Sequence, residues 1–143
     1  MIIKYFTRIA RSTATFRSEQ LAREDLHPRH YTYLLMACMQ PGLSQDEFTK
    51  EIMLNKSSVA RQLQLLEEKG YIERKISDND KRVMEVYPSQ KSLDLFPSLK
   101  LTNETWNQFL LEGFSETEIA QLVSYLTRVS DNATKHLLGT RLD

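Results

Sequence analysis

Residues Ser44–Pro88 read SQDEFTKEIMLNKSSVARQLQLLEEKGYIERKISDNDKRVMEVYP, and their punctuation decides the fold. Ser44 is a good helix N-cap, and Glu47 completes a capping box for a helix over about Gln45 to Met53, with Phe48 and Ile52 as its inner face. Leu54-Asn55 makes the turn, Asn55 or Ser57 can cap a second helix, and Gly70 stops that helix after about Lys69. Two runs of strand-forming residues follow, Tyr71–Ile76 and Val83–Tyr87, on either side of a polar tip, Ser77–Arg82, rich in turn formers. Two strands alone are marginal, so this hairpin must lean on the helices beside it.

The order is helix, tight turn, helix, wing, which is a device for placing one helix in a DNA groove. Along the second helix Val59, Leu63 and Leu66 share one side. Ser57, Arg61, Gln64 and Glu68 fall opposite, with Ser58 and Gln62 on the flank and Leu65 toward the exposed side. Small hydroxyls allow close approach, while Arg and Gln reach base edges or phosphates. The competing reading of such a face is plain solvation.

Working outward, residues from Ile2 to about Arg23 read as a helix whose stripe of Ile2, Phe6, Ile9, Thr13 and Phe16 is expected to be core, with part of it meeting a second subunit. His27-Pro28 is a boundary. A helix from about Arg29 to Gln40 follows, with Tyr31, Leu34, Leu35 and Cys38 at core spacing, and Pro41-Gly42 stops it. Beyond the hairpin a long helix is expected from Ser89 to about Glu112, with Pro97 as its candidate bend and Leu95, Leu99, Trp106, Phe109 and Leu110 as its apolar members. Ser115 and Glu118 form a second capping box, opening a last helix that carries Ile119, Leu122, Val123, Leu126 and Val129 to about Leu138, before Gly139. The expectation is a mainly α, single domain over residues 1–143. Residues 29–88 form the winged lobe, and residues 1–28 and 89–143 form a helical dimerisation region.

Composition bounds the function. Hydrophobic residues make up 41% of the 143 and charged residues 27%, an ordinary soluble balance. No apolar run approaches the roughly 20 residues of a membrane span. MIIKYFTRIARS is too interrupted by charge for a signal peptide. The lone cysteine, Cys38, excludes an internal disulfide and suits a reducing cytoplasm. A formal net charge of zero argues at first against nucleic acid, but binding answers to local fields. Lys56, Arg61, Lys69, Arg74, Lys75, Lys81 and Arg82 sit in the central stretch, whereas Asp94, Glu104, Glu112, Glu116, Glu118, Asp131 and Asp143 occupy the C-terminal third. No Gly-rich phosphate loop, nucleophile elbow or metal-binding pair points to an enzyme.

The phrases LEEKGYIER and DKR, in this order after a helix–turn–helix, resemble the MarR family of winged-helix transcriptional regulators over nearly the whole chain. The family phrase Leu-Glu-x-x-Gly-Tyr-Ile-x-Arg is matched by Leu66, Glu67, Gly70, Tyr71, Ile72 and Arg74, and its wing phrase Asp-x-Arg by Asp80, Lys81 and Arg82. The resemblance implies a homodimer with intertwined first, fifth and sixth helices. It also implies double-stranded operator DNA of near-palindromic sequence, with half-sites about one helical turn apart. It assigns Ser57, Ser58, Arg61 and Gln62 to the groove-facing part of the reading helix, and Arg82 to the minor groove. Asp80 becomes the carboxylate that shapes the wing, and Lys56, Arg74, Lys75 and Lys81 become phosphate contacts. It further implies a pocket for small phenolic or other hydrophobic effectors between dimer arm and lobe, where His30 and Tyr31 are the candidates here. The chain departs from the family at Tyr87-Pro88-Ser89-Gln90-Lys91-Ser92, where Leu-Thr-x-x-Gly is usual, and in Asp-Lys-Arg, where a doubled arginine is common.

The remaining candidates are weaker. His27 and His30 beside Glu24-Asp25 lack metal-ligand spacing, so no metal or other cofactor is expected. Cys38 reads as a buried inert thiol, with a redox sensor as the lesser alternative. A different class of function is a winged-helix protein–protein adaptor, motivated by zero net charge and by Glu67, Glu68 and Glu73 near the reading helix.

Overall fold

A computed structural model describes residues 1–139. Its elements run α1 (Ile3–Gln20), α2 (His30–Met39), β1 (Leu43–Ser44), α3 (Gln45–Ile52), α4 (Lys56–Glu68), β2 (Ile72–Ile76), β3 (Met84–Pro88), α5 (Gln90–Leu110) and α6 (Glu116–Gly139). The expected helix–turn–helix and hairpin are therefore present, and the class is mainly α. Two compact units divide the chain, residues 1–106 and the residues from 107 onward.

In the first unit, α3 opens on the capping box. The Glu47 N–H donates to Ser44 Oγ at 3.1 Å, and the Ser44 N–H donates to Glu47 Oε2 at 2.7 Å. It closes at Met53, whose φ of 61° is left-handed in a non-glycine residue. Asn55 is the cap that α4 uses, its Oδ1 accepting the Ser58 N–H at 2.8 Å. Val59, Leu63 and Leu66 then bury completely against Tyr31, Tyr33, Leu34, Ala37 and Phe48, with the Tyr33 and Phe48 rings stacked 6.0 Å apart. At roughly 1.5–3 kcal/mol for each large apolar side chain removed from water, this inner face is what holds α4 in place.

The sheet has three strands in the order β1-β3-β2, all antiparallel, rather than the two expected. Leu43 pairs with Val86 and Ser44 with Glu85, which shields the inner edge of β3 and roots the wing beside α3. Gly42, at φ +93°, makes the approach possible: a Cβ there would lie 3.2 Å from Tyr87 Oη. Val86 and Ile72 are buried beneath the hairpin.

The first helix departs from expectation. None of its residues is buried, and Ile2, Ile3, Tyr5, Phe6 and Ile9 are exposed. Its C-terminal half is anchored: Trp106 Nε1 donates to Thr13 Oγ1 at 2.8 Å, Phe16 stacks on Trp106 at 4.7 Å, and the Arg17 guanidinium lies 4.4 Å over the Tyr31 ring. Pro97 lies within α5, which continues through it.

At the start of α5 the departure from the family phrase is absorbed by serines. Ser89 Oγ donates to the Gly70 carbonyl at 2.6 Å, and Ser92 Oγ to the Tyr71 carbonyl at 2.5 Å. The Ser89 N–H donates to the same Tyr71 oxygen at 3.0 Å. In the second unit Gly113 (φ +84°) ends the preceding helix, and the Ser115–Glu118 capping box opens α6. That helix includes Gly139, one residue beyond its expected end, and leaves Val123, Tyr125, Leu126 and Val129 exposed. Asp143 lies outside the described residues.

Candidate nucleic-acid interface

The outward side of α4 is built by exclusion. With Val59, Leu63 and Leu66 turned inward, helical spacing leaves Ser57, Arg61, Gln64 and Glu68 exposed, and Ser58 and Gln62 half-buried on the flank. Ser57 Oγ donates to Asn55 Oδ1 at 2.8 Å, so its lone pairs face outward. Lys56 forms an exposed pair with Asp46 at 3.3 Å, the kind of contact that a phosphate displaces at little cost. Gln64 donates to Glu68 at 3.1 Å.

The wing tip is folded around one carboxylate. Asp80 Oδ1 accepts the Arg82 N–H at 3.0 Å and its Nε at 3.1 Å, and Oδ2 accepts Nη2 at 3.1 Å. The guanidinium holds the Asp80 carboxyl below the usual carboxylate range. Ser77, which the sequence places at the start of the polar tip, is buried beneath it and closes it: its N–H donates to the Val83 carbonyl at 2.8 Å, and its Oγ accepts the Asn79 N–H at 3.2 Å. Lys81 is exposed at the tip. Lys75 lies 5.1 Å over the Tyr87 ring and 3.8 Å from Glu73.

Arg74 stands apart from the other cations. Its backbone N–H donates to Glu67 Oε2 at 2.9 Å, Nε and Nη2 reach Glu67 Oε1 at 3.3 and 3.0 Å, and Nη1 donates to Gln45 Oε1 at 3.0 Å. Only 19% of its side chain is exposed. A guanidinium bonded in this way joins α3, α4 and β2. The Arg74 hydrogen bonds hold the Glu67 carboxyl below its ordinary value. Of the three acidic residues that weighed toward the adaptor reading, Glu67 is thus neutralised, and Glu73 faces Lys75.

His30 and Tyr31, the two sequence candidates for an effector pocket, have buried side chains. Tyr31 donates to the Leu99 carbonyl. His30 Nδ1 accepts the His27 N–H at 3.1 Å, and Nε2 meets Gln62 Oε1 at 2.8 Å. Burial pushes its pKa down and so favours the neutral ring, outweighing the Gln62 bond. Two clefts are walled by sequence neighbours of theirs, and neither His30 nor Tyr31 lines them. One, of about 390 Å³, has Ala10, Ala14, Arg17, His27, Pro28 and Arg29 in its wall. The other, of about 350 Å³, runs beside α4 and is lined by residues including Thr32, Tyr33, Ser58 and Arg61. Cys38 donates weakly to the Ser92 carbonyl at 3.7 Å, and burial pushes its thiol up, away from the reactive thiolate.

Known proteins share this arrangement. Residues 24–83 match the sequence profile of the MarR family. The HTH-type transcriptional regulator YybA of Bacillus subtilis is 25% identical over 131 residues, covering 92% of this chain and 87% of that protein. The crystal structure of the transcriptional regulator SlyA is 30% identical, with a TM-score of 0.89, over 94% of this chain and 95% of that one. A MarR family transcriptional regulator from Listeria monocytogenes, complexed with 26mer DNA, superposes with a TM-score of 0.91 at 26% identity, over 96% and 92% of the two chains.

Proposed function

We propose, from the premise that this chain belongs to the MarR family and is a DNA-binding transcriptional regulator, that it acts as a homodimeric repressor on a near-palindromic operator. The observation that carries this is the outward side of α4. It is a capped helix held by a buried apolar face, and it presents Ser57, Ser58, Arg61 and Gln62 with Lys56 at its first turn. In this reading these side chains meet base edges in the major groove, Arg82 enters the minor groove from a wing shaped by Asp80, and Lys75 and Lys81 neutralise phosphates. Arg74 serves the interface by holding the reading helix against the wing.

The dimer is supported by apolar surface that this chain leaves uncovered: Ile2, Ile3, Tyr5, Phe6 and Ile9 on α1, and Val123, Tyr125, Leu126 and Val129 on α6. Contiguous exposed apolar faces of this kind mark association surfaces. Modulation by a small hydrophobic or phenolic effector is supported by the cleft beside Ala10, Ala14 and Pro28, next to the pair His30 and Tyr31. The lone Cys38 fits work in the reducing cytoplasm.

The test is selection of bound duplexes from random DNA by the purified protein, with its mass in solution recorded alongside. An enriched, near-palindromic motif bound by a dimer is expected. An intact dimer with no enriched motif would refute the operator and move the reading to the adaptor.

A further inference from the structure

Gln62 does not face DNA as an ordinary glutamine. A glutamine side chain carries an acceptor and a donor, and with both free it pairs bidentately with adenine, whose major-groove edge offers N6–H₂ and N7. Here one lone pair of the acceptor oxygen is engaged, and the oxygen is turned toward a buried ring. His30 Nδ1 accepts the His27 N–H at 3.1 Å, so in the neutral ring the proton is on Nε2. Nε2–H therefore donates to Gln62 at 2.8 Å, and the atom receiving it must be Oε1, because the flipped amide would set N–H against N–H. The His30 ring is itself fixed by burial, 2% exposed, and by edge contacts with His27 and Tyr33. What remains to Gln62 is its NH₂, which makes no hydrogen bond within the described residues.

We infer that His30, by turning the Gln62 oxygen inward, leaves the NH₂ as the group Gln62 presents to DNA, so that the base it meets is selected for acceptor atoms: guanine first, with O6 and N7, and adenine disfavoured. Cytosine, which presents only its N4 donor in the major groove, is excluded most strongly. Thymine O4 and adenine N7 each offer one acceptor and fall between. This inference rests on the proposed operator reading and adds to it the polarity of one contact, set by a residue of α2 that touches no base. His30 is thus a positioning residue for specificity, and the buried ring suggested as a pocket wall acquires a different task.

The experiment is the duplex selection repeated with three variants of the full chain. The wild type should show one motif position, repeated in each half-site, where guanine exceeds adenine by roughly tenfold. Gln62→Met should erase the preference at that position alone. Gln62→Glu, nearly isosteric, still accepts from His30 but offers a second acceptor, so the preference should reverse toward cytosine. His30→Phe keeps a buried ring and removes the donor, so the freed amide should admit adenine at the same position. If Gln62→Met changes no position, Gln62 reads no base and the inference fails. If Gln62→Met erases the preference but His30→Phe leaves the ratio of guanine to adenine unchanged, His30 does not set the polarity. Failure of the wild type to enrich any motif would instead overturn the operator reading itself, and this inference with it.

Discussion

Replacing Arg74 by Met separates a structural clamp from a phosphate contact. The substitution keeps the aliphatic stem and deletes the guanidinium, which makes three side-chain hydrogen bonds, two to Glu67 and one to Gln45. Charge-assisted bonds contribute about 1.5–3 kcal/mol when partners are desolvated. Breaking a buried pair costs about 3–5 kcal/mol and an exposed one about 0–1 kcal/mol. With 19% of the Arg74 side chain and 37% of the Glu67 side chain exposed, this pair lies between those limits. The Arg74 N–H also remains to serve Glu67 Oε2. The expected loss is about 2 kcal/mol, or a fall in Tm of roughly 8 °C for a chain of this length. Urea unfolding reads the first quantity and calorimetry the second. The decisive companion measurement is the slope of log affinity for DNA against log salt. A clamp leaves that slope unchanged, whereas an arginine on a phosphate reduces it by about 1 when removed. Stability within about 0.5 kcal/mol of wild type together with a shallower slope would refute the clamp and return Arg74 to the phosphate backbone.

Other outcomes follow from the same geometry. Arg61→Ala is expected to cost about 1–3 kcal/mol on the preferred operator and to relax discrimination at particular positions; uniform weakening on every duplex would make it a phosphate contact. Asp80→Asn should speed amide hydrogen exchange at Arg82, whose N–H it holds, and weaken operator binding, while the urea midpoint stays in place. Gly42→Ala places a side chain at φ +93° against Tyr87 and should destabilise by about 1–3 kcal/mol, read by urea unfolding. His30 supplies a pH signature. Its folded pKa lies below 6.5, so between that value and 6.5 the unfolded chain binds more protons than the folded one. Its contribution to stability is therefore full above 6.5 and declines as pH falls toward roughly 5, before carboxylates titrate. A urea midpoint that is flat across that window in the wild type would refute the His30 contribution, and one that falls equally in His30→Phe would assign the decline elsewhere.

The helices and hairpin were legible because their signals are local. Ser44 and Glu47, Ser115 and Glu118, and Gly70 each act within a turn of their own position, and Val59, Leu63 and Leu66 declare an inner face by spacing alone. Strand β1 was not legible: two residues cannot display alternation, and Leu43 becomes a strand only because Val86 lies opposite. The α1 stripe looked like core because periodicity reports a face to be covered and says nothing of what covers it. Arg74 looked like an outward cation because it sits in a basic run, while its acceptors, Glu67 and Gln45, come from two other elements. The link between His30 and Gln62 spans 32 positions and depends on a tautomer set by a third residue, information that no spacing rule contains.

The serines at the head of α5 have a mechanical consequence. Ser89 and Ser92 fasten its first turn to the carbonyls of Gly70 and Tyr71, two of the three residues that separate the end of α4 from β2. Three bonds across so few backbone atoms limit the compliance of that joint. A rotation imposed on α5 would therefore meet the end of α4 through hydrogen bonds rather than through a loose linker. The usual family phrase at this junction is absent, yet hydroxyls tie the first turn of α5 to the residues just beyond α4.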